Sequence, residues 1–365
     1  MEKIMETKTE MNNQEETARF RIERNGKYGF IDKAGNEVIP CQYEKAGVFS
    51  DGRTWIRVGD KYGYIDPSGQ VVIPCKYDEA DSFYEGMALV EINGKSGFID
   101  TAGREVIPCK YDYAKKFSEG MAIVKGISGK FGYVDTTGEE VIPCIFDYVK
   151  PFCDGLAVVI ADTQAYGPYK YGFIDKSGQE AFPCGYVGVS DFSEGMSKVW
   201  VRDKKDKLKF GFIDKTGREV VRCKYVDVYD YHQGLAQVTV GGKIGFIDQA
   251  GETVIPCKYK NAGFFKEGLA RVKIDGKWGF INRNDQMVIK SDCLLLDEFH
   301  EGMAVTTVDK GYYSHGYICK TGREIVPPQF AYAGSFKNGL ALIRFFDDHE
   351  GYLDETGRLV VEYRR

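Results

Sequence analysis

Ten cysteines, four histidines and a row of evenly spaced aspartates are the side chains in this 365-residue sequence that could do chemistry. Cys41, Cys75, Cys109, Cys144, Cys184, Cys223 and Cys257 share one phase, directly after Ile-Pro or its equivalent. One thiol per period at a fixed phase is a core position. Stacked sheets lie about 10 Å apart, beyond the roughly 7 Å between Cα atoms that a disulfide spans. Free, buried thiols are therefore expected, and they suit a reducing cytoplasm. No C-x-x-C occurs, so no zinc site, metal or cofactor is expected. Asp32, Asp66, Asp100, Asp135, Asp175, Asp214, Asp248 and Asp354 each open an Asp-x-x-Gly segment. A row of acids suggests catalysis or calcium, but a paired-carboxylate mechanism needs two acids converging on one pocket. Repetition argues against that, and capping of a turn by Asp explains the row without a ligand. His232 and His300 fall two residues before a glycine and read as exposed turn residues, His315 replaces an aromatic, and His349 lies in the charged loop FFDDHEG. No spacing among them supports a Cys-His or Ser-His-Asp arrangement, so no catalytic residue is assigned and no enzymatic activity is expected.

What must position these residues is written in the composition. Forty-three Gly, 24 Tyr and 23 Phe against 11 Pro favour strands and tight turns, and 43% hydrophobic with 28% charged residues is a globular balance. The net charge of -5, from 49 basic and 54 acidic residues, gives no polyanion-binding surface, so nucleic acid is not an expected partner. No stretch approaches the roughly 18 apolar residues of a membrane helix. The first seventeen residues, MEKIMETKTEMNNQEET, are charged and lack an apolar run. They read as a disordered tail over 1–17 with no targeting signal, which points to the cytoplasm.

The remainder, 18–365, is repetitive. Glycines after an aromatic or its substitute, in segments such as YGFID, FGYVD and WGFIN, stand at Gly29, Gly63, Gly97, Gly132, Gly172, Gly211, Gly245, Gly279, Gly316 and Gly351. Their spacings are 34, 34, 35, 40, 39, 34, 34, 37 and 35, so ten units of about 34 residues fill the chain as one domain. A second glycine follows six residues later, with Asp285 in its place in one unit, and a third follows after 23 residues, from Gly52 to Gly339. All length variation then falls between the third glycine and the next aromatic-glycine pair.

Each unit reads as three short strands: the aromatic-glycine strand (KYGFID), a closing strand (EVIPC) and an opening strand (LALVEI). Asp-x-x-Gly joins the first two as a bulged hairpin, and short Asn-Gly-Lys or Gly-Asp-Lys connections lead from the third into the next unit. Adjacent apolar pairs such as Phe30 with Ile31 and Val38 with Ile39 place apolar side chains on both faces. Each small sheet must then be covered on both sides by its neighbours. The expected fold is all-β: about ten three-stranded antiparallel meander units stacked into a curved superhelix or a closed propeller-like ring.

These blocks resemble the WG-repeat family, common in bacteria. The Trp-Gly step that names the family stands as Trp278-Gly279 in DGKWGFIN, and G-x-E-V-I-P and E-G-L/M-A recur in nearly every unit. The resemblance implies an interaction or structural β-repeat module and supplies no catalytic residues.

The three longest insertions, ADTQAYGPYK, RDKKDKLK and DKGYYSH, fall at the same point of their units and should emerge on one rim. Tyr166, Tyr169, Lys204, Lys205, Tyr312 and Tyr313 are the candidate binding residues. The expected function is a non-enzymatic cytoplasmic scaffold that binds a protein or peptide partner through rim loops or a concave surface. A carbohydrate or cell-wall binding module, suggested by the aromatic-glycine richness, and an enzyme with a site in a central channel are the alternatives.

Overall fold

The computed structural model describes residues 18–160, 171–182 and 185–364, and every regular element among them is a β-strand. Sheet one holds β1 (Phe20–Arg24), β2 (Lys27–Ile31) and β3 (Glu37–Tyr43). Sheet two holds β4 (Lys45–Ala46), β5 (Thr54–Val58), β6 (Lys61–Ile65) and β7 (Val71–Tyr77) in consecutive antiparallel order. The eight sheets that follow repeat the pattern of sheet two. The expected three-stranded unit is thus corrected to four strands in nine of the ten sheets. The added element is a lead strand, two residues long in most sheets, that directly follows the preceding closing strand. It is too short for any periodic pattern to announce it.

Two turn types set this meander. At Asp32 the carboxylate Oδ1 accepts the N–H groups of Ala34 at 2.9 Å and Asn36 at 2.8 Å, while Gly35 takes φ +89°. The aspartate row therefore caps turns, as its spacing implies. The third-glycine series makes two-residue hairpins with both central residues left-handed, Glu119 at φ 53° and Gly120 at φ 78°, closed by Ser118 and Met121 through two backbone hydrogen bonds. This is a type I′ geometry, whose twist matches that of the flanking strands.

The aromatic-glycine step has a separate cause. Tyr62 pairs with Tyr77 and Tyr64 with Ile73, so the Pro74–Lys76 stretch bulges out of register. That bulge folds over Gly63, where a Cβ would lie 2.5 Å from the Ile73 carbonyl oxygen and 2.6 Å from the Cys75 nitrogen. Only glycine fits beneath it, and the proline costs no ladder bond because it sits in the bulge.

The chain divides into two compact units, Lys110–Glu298 and the remainder formed by the residues up to Cys109 with those from Phe299. Within each, successive sheets stack face to face as propeller blades do. A wedge aromatic, three residues before each third glycine, stands edge-on to the aromatic of the preceding sheet. Phe83 on Tyr64, Phe152 on Tyr133, Phe212 with Tyr231 and Tyr317 with Phe336 have centroids 4.8 to 5.1 Å apart. In the unit that holds both chain ends, the first and last sheets also pack together. Phe20 meets Tyr352 at 5.5 Å, and the Tyr352 hydroxyl donates to the Arg21 carbonyl at 2.9 Å.

Candidate functional site

The two ends of each sheet differ. At one end lie the Asp-x-x-Gly turns and the type I′ turns. At the other lie the hairpins between the opening and aromatic-glycine strands, which carry the insertions. The turn end is laced from sheet to sheet. Glu194 accepts the N–H groups of Gln233 and Gly234, both at 2.7 Å, and Glu301 those of Asn338 and Gly339, both at 2.8 Å. Asp51, Glu119, Asp154 and Gln233 each accept the N–H of the equivalent glycine one sheet on. Serine adds a second bond: Ser50 and Ser118 donate to the carbonyls of Phe83 and Phe152 at 2.7 and 2.8 Å. The residue before the third glycine, an acid at Asp51, Glu119, Asp154, Glu194 and Glu301 and a glutamine at Gln233, is thus a latch. Sequence reasoning missed it although the signal is present, since an acid in a left-handed position costs strain that something must offset.

At the hairpin end, Lys204 and Lys205 sit exposed at the tip between Met196–Arg202 and Leu208–Asp214. Asp203 caps that tip through the N–H groups of Lys205 and Lys207, and Arg202 pairs with Asp206 at 3.2 Å, all within the loop. Tyr312 and Tyr313 stand at the tip between Met303–Asp309 and Tyr313–Cys319, 56% and 61% exposed. Tyr312 meets the 52%-exposed Phe346 of the neighbouring hairpin edge-on, with centroids 4.7 Å apart. Tyr166 and Tyr169 lie outside the described residues. Phe346 escaped the sequence reading because its loop is not an insertion. Alternation marks it all the same: Phe345 turns inward onto Phe330, so its neighbour must face out.

The remaining chemical candidates resolve into structure. The nine described cysteines are free, but the expected full burial is corrected to half-burial. The bulge tips the phased thiols to the sheet margin, where those of Cys109 and Cys257 reach the Val90 and Val238 carbonyls at 3.7 and 3.5 Å. Burial pushes the thiols of Cys41, Cys75, Cys109, Cys144, Cys223 and Cys257 up, that of Cys223 to about 11. Cys184 lies outside the described residues. Cys319 behaves differently because it replaces the capping aspartate. Partial burial pushes its thiol up, but hydrogen bonds from the Thr321 hydroxyl and the Thr321 and Arg323 backbone outweigh this and leave it at about 7. His232 is exposed and meets the Phe264 ring at a tilt, with centroids 4.4 Å apart. His315 bonds Thr307 at 3.0 Å, with burial lowering its pKa, and His349 bonds Glu362 at 2.9 Å. Asp191 is held above the usual carboxylate range by burial, with Lys150 at 3.4 Å opposing the shift. No cluster of three or more metal-ligating side chains occurs among the described residues.

Comparison with known proteins agrees with this architecture. No curated protein matches the sequence. Among solved structures, the chain is similar to a eukaryotic initiation factor with TM-score 0.52 at 12% identity, covering 87% of this chain and 96% of that one. It is also similar to BamB from Moraxella catarrhalis with TM-score 0.36 at 9% identity, covering 79% and 88%. At these identities the first likeness shows a shared fold, and the second carries no argument. The model of the WG containing repeat matches nine segments that begin at residue 28 and end at residue 345: 28–62, 62–95, 97–130, 131–161, 171–204, 210–243, 244–278, 278–312 and 316–345. With the glycine-bulge step repeated along almost its whole length, the chain belongs to the WG containing repeat family.

Proposed function

We propose that this protein is a non-catalytic, cytoplasmic repeat scaffold that binds a protein or peptide partner through its hairpin end. The observation that carries the reading is the exposed aromatic group Tyr312, Tyr313 and Phe346. Aromatic side chains supply large rigid contact area at little entropic cost, and interfaces enrich them. Lys204 and Lys205 offer basic contacts on an equivalent hairpin. Free thiols suit a reducing compartment, and the described histidines are engaged with neighbours rather than aimed at a shared cavity.

The test is capture from cell extract by wild-type protein, by the Tyr312→Ala, Tyr313→Ala, Phe346→Ala triple variant, and by a variant with residues 203–207 shortened to Asn-Gly. Each is first checked for an unchanged circular dichroism spectrum. Loss of specific bands with the triple variant supports the reading. Identical captured sets from all three proteins would reject it.

A further inference from the structure

One place at the hairpin end inverts a charge pattern that the other sheets share. In sheet one Lys27, which opens the aromatic-glycine strand, meets Glu44, which follows the closing strand, at 3.9 Å. Lys61 with Asp78 and Lys130 with Asp147 repeat the pair in sheets two and four. Register explains it, because each Lys and its acid flank one ladder pair: Tyr28 with Tyr43, Tyr62 with Tyr77 and Phe131 with Phe146. Asp78 also accepts the Asn93 N–H at 2.7 Å, so its carboxylate ties sheet two to the hairpin tip of sheet three. In sheet seven, Ile244 of Lys243–Asp248 pairs with Tyr259 of Thr253–Tyr259 in the same register, yet the flanking residues are Lys243 and Lys260. The acid has become a second cation. In sheet eight Lys273 and its ladder partner Asn261 stand where sheet three pairs Glu91 with Glu79.

A cleft of about 560 Å³ opens at this point, and its charged lining is Lys243, Lys258, Lys260 and Lys273 against Asp275 alone. Lys258 is paired with Asp285, and Lys273 holds its Nζ 5.4 Å from the centroid of the Trp278 ring. Among the described residues no carboxylate pairs with Lys243, Lys260 or Lys273, and the Asp275 N–H, counterpart of the Asn93 N–H, has no acceptor. Like charges placed across a ladder repel, and a cleft lined by one sign of charge concentrates the other. The net charge of -5 averages over this basic spot. We infer that the cleft between sheets seven and eight binds an acidic peptide segment of a partner protein, with one carboxylate in the place that Asp78 fills between sheets two and three. There it receives the Lys243 ammonium and the Asp275 N–H. Three ammonium groups without an acid call for more than one carboxylate, which an acidic segment supplies on neighbouring side chains. Carboxylate is the fitting chemistry because a carboxylate occupies the counterpart position. A volume of about 560 Å³ lies within the range of specific ligand sites. The inference goes beyond the aromatic group: these residues belong to the compact unit Lys110–Glu298, and Tyr312, Tyr313 and Phe346 to the other.

The experiment follows the fluorescence anisotropy of a labelled hexaglutamate peptide titrated with full-length protein. Micromolar binding is expected at low salt, weakening about tenfold between roughly 0.05 M and 0.3 M salt as screening shortens the reach of the charges. Hexaglutamine should not bind. Lys260→Asp restores the acid found in sheet two and should bind about tenfold more weakly with an unchanged circular dichroism spectrum, and Lys260→Gln, which only removes a charge, about threefold. Lys33→Asp makes the same charge change at an exposed residue of the turn end and should bind as wild type does. Absence of hexaglutamate binding, undiminished binding by Lys260→Asp, or an equal loss with Lys33→Asp overturns the inference. So does tighter binding of tripolyphosphate or of an oligouridylate than of the peptide, which would make the occupant a phosphate compound or a nucleic acid. A concentration-dependent dimer that Lys260→Asp abolishes would make it a second copy and overturn the inference as well. Substitutions at Tyr312, Tyr313 and Phe346 should leave peptide binding unchanged, so the failure of either reading leaves the other standing.

Discussion

The turn end and the hairpin end of each sheet are built from the same strands, yet only one varies in length. At the turn end the Glu194 carboxylate receives two backbone N–H groups of the next sheet, and Ser118 reaches a carbonyl one sheet on. Inserting a residue there would misplace both partners in the adjoining sheet. The Asp203 hairpin satisfies its own polar groups, with Lys205, Lys207, Arg202 and Asp206 all bonding inside the loop. Length is therefore fixed where hydrogen bonds cross between sheets and free where they close locally.

The largest expected effect lies between the two ends. Gly245→Ala would set a Cβ 2.5 Å from the Ile255 carbonyl oxygen, a backbone atom held in the bulge, and should cost about 3 kcal/mol in denaturant titration. Gly242→Ala at a hairpin tip meets no atom within 4 Å and carries only backbone strain at φ 72°, so about 1 kcal/mol is expected. Equal costs would remove the bulge as the reason for the aromatic-glycine step.

Acid should weaken the turn end as a group. Hydrogen bonds from Thr216, its backbone and Arg218, opposed by slight burial, hold Asp214 below its ordinary value, and Asp32, Asp66, Asp100, Asp135, Asp175 and Asp354 move the same way. A carboxylate with a lowered folded pKa adds stability that is complete above its unfolded value near 4 and is lost as pH falls through the folded value. The urea midpoint should hold steady from pH 7 to about 5 and drop below about pH 4. The Asp214→Asn, Asp354→Asn double variant should show a shallower drop, and an unchanged slope would deny the capping role.

A matched pair separates the latch from its strain. Glu194 and Asp206 both occupy left-handed positions, at φ 51° and 58°, but only Glu194 bonds the next sheet. Glu194→Ala should cost about 1–2 kcal/mol and Asp206→Ala no more than about 0.5 kcal/mol. The difference measures the latch, and its absence would leave turn-end length conservation unexplained. The smallest effect on stability is expected at Cys319. With its thiol at about 7, it should alkylate fastest of the described cysteines near neutral pH. Cys319→Asp restores the capping residue and should shift stability by less than about 0.5 kcal/mol, while abolishing the fast-reacting thiol.

Much of this was legible in the sequence. The glycine spacing gave ten units, and Asp-x-x-Gly gave the capped turns, because both are local devices with fixed offsets. The lead strand was not legible, since Lys45–Ala46 is a bridge imposed by the neighbouring strand rather than by its own two residues. The cysteines were placed by phase alone, which counts position along a strand but not the tilt that the bulge around Pro74 imposes. At the candidate site, Tyr312 and Tyr313 were found through their insertion. Phe346 was not, because the contact that recruits it crosses between two hairpins.

Every latch described here also runs in one direction: the accepting side chain belongs to the earlier unit and the N–H groups to the later one. During synthesis the acceptor is therefore already fixed when its donors leave the ribosome, and each finished unit can act as a template for the turn of the next. Assembly by accretion from the N-terminus follows, with each increment sheltering the wedge aromatic that has just emerged. The joining of the last sheet to sheet one, through Phe20 with Tyr352 and the Tyr352 hydroxyl on the Arg21 carbonyl, must wait until the final unit has been made.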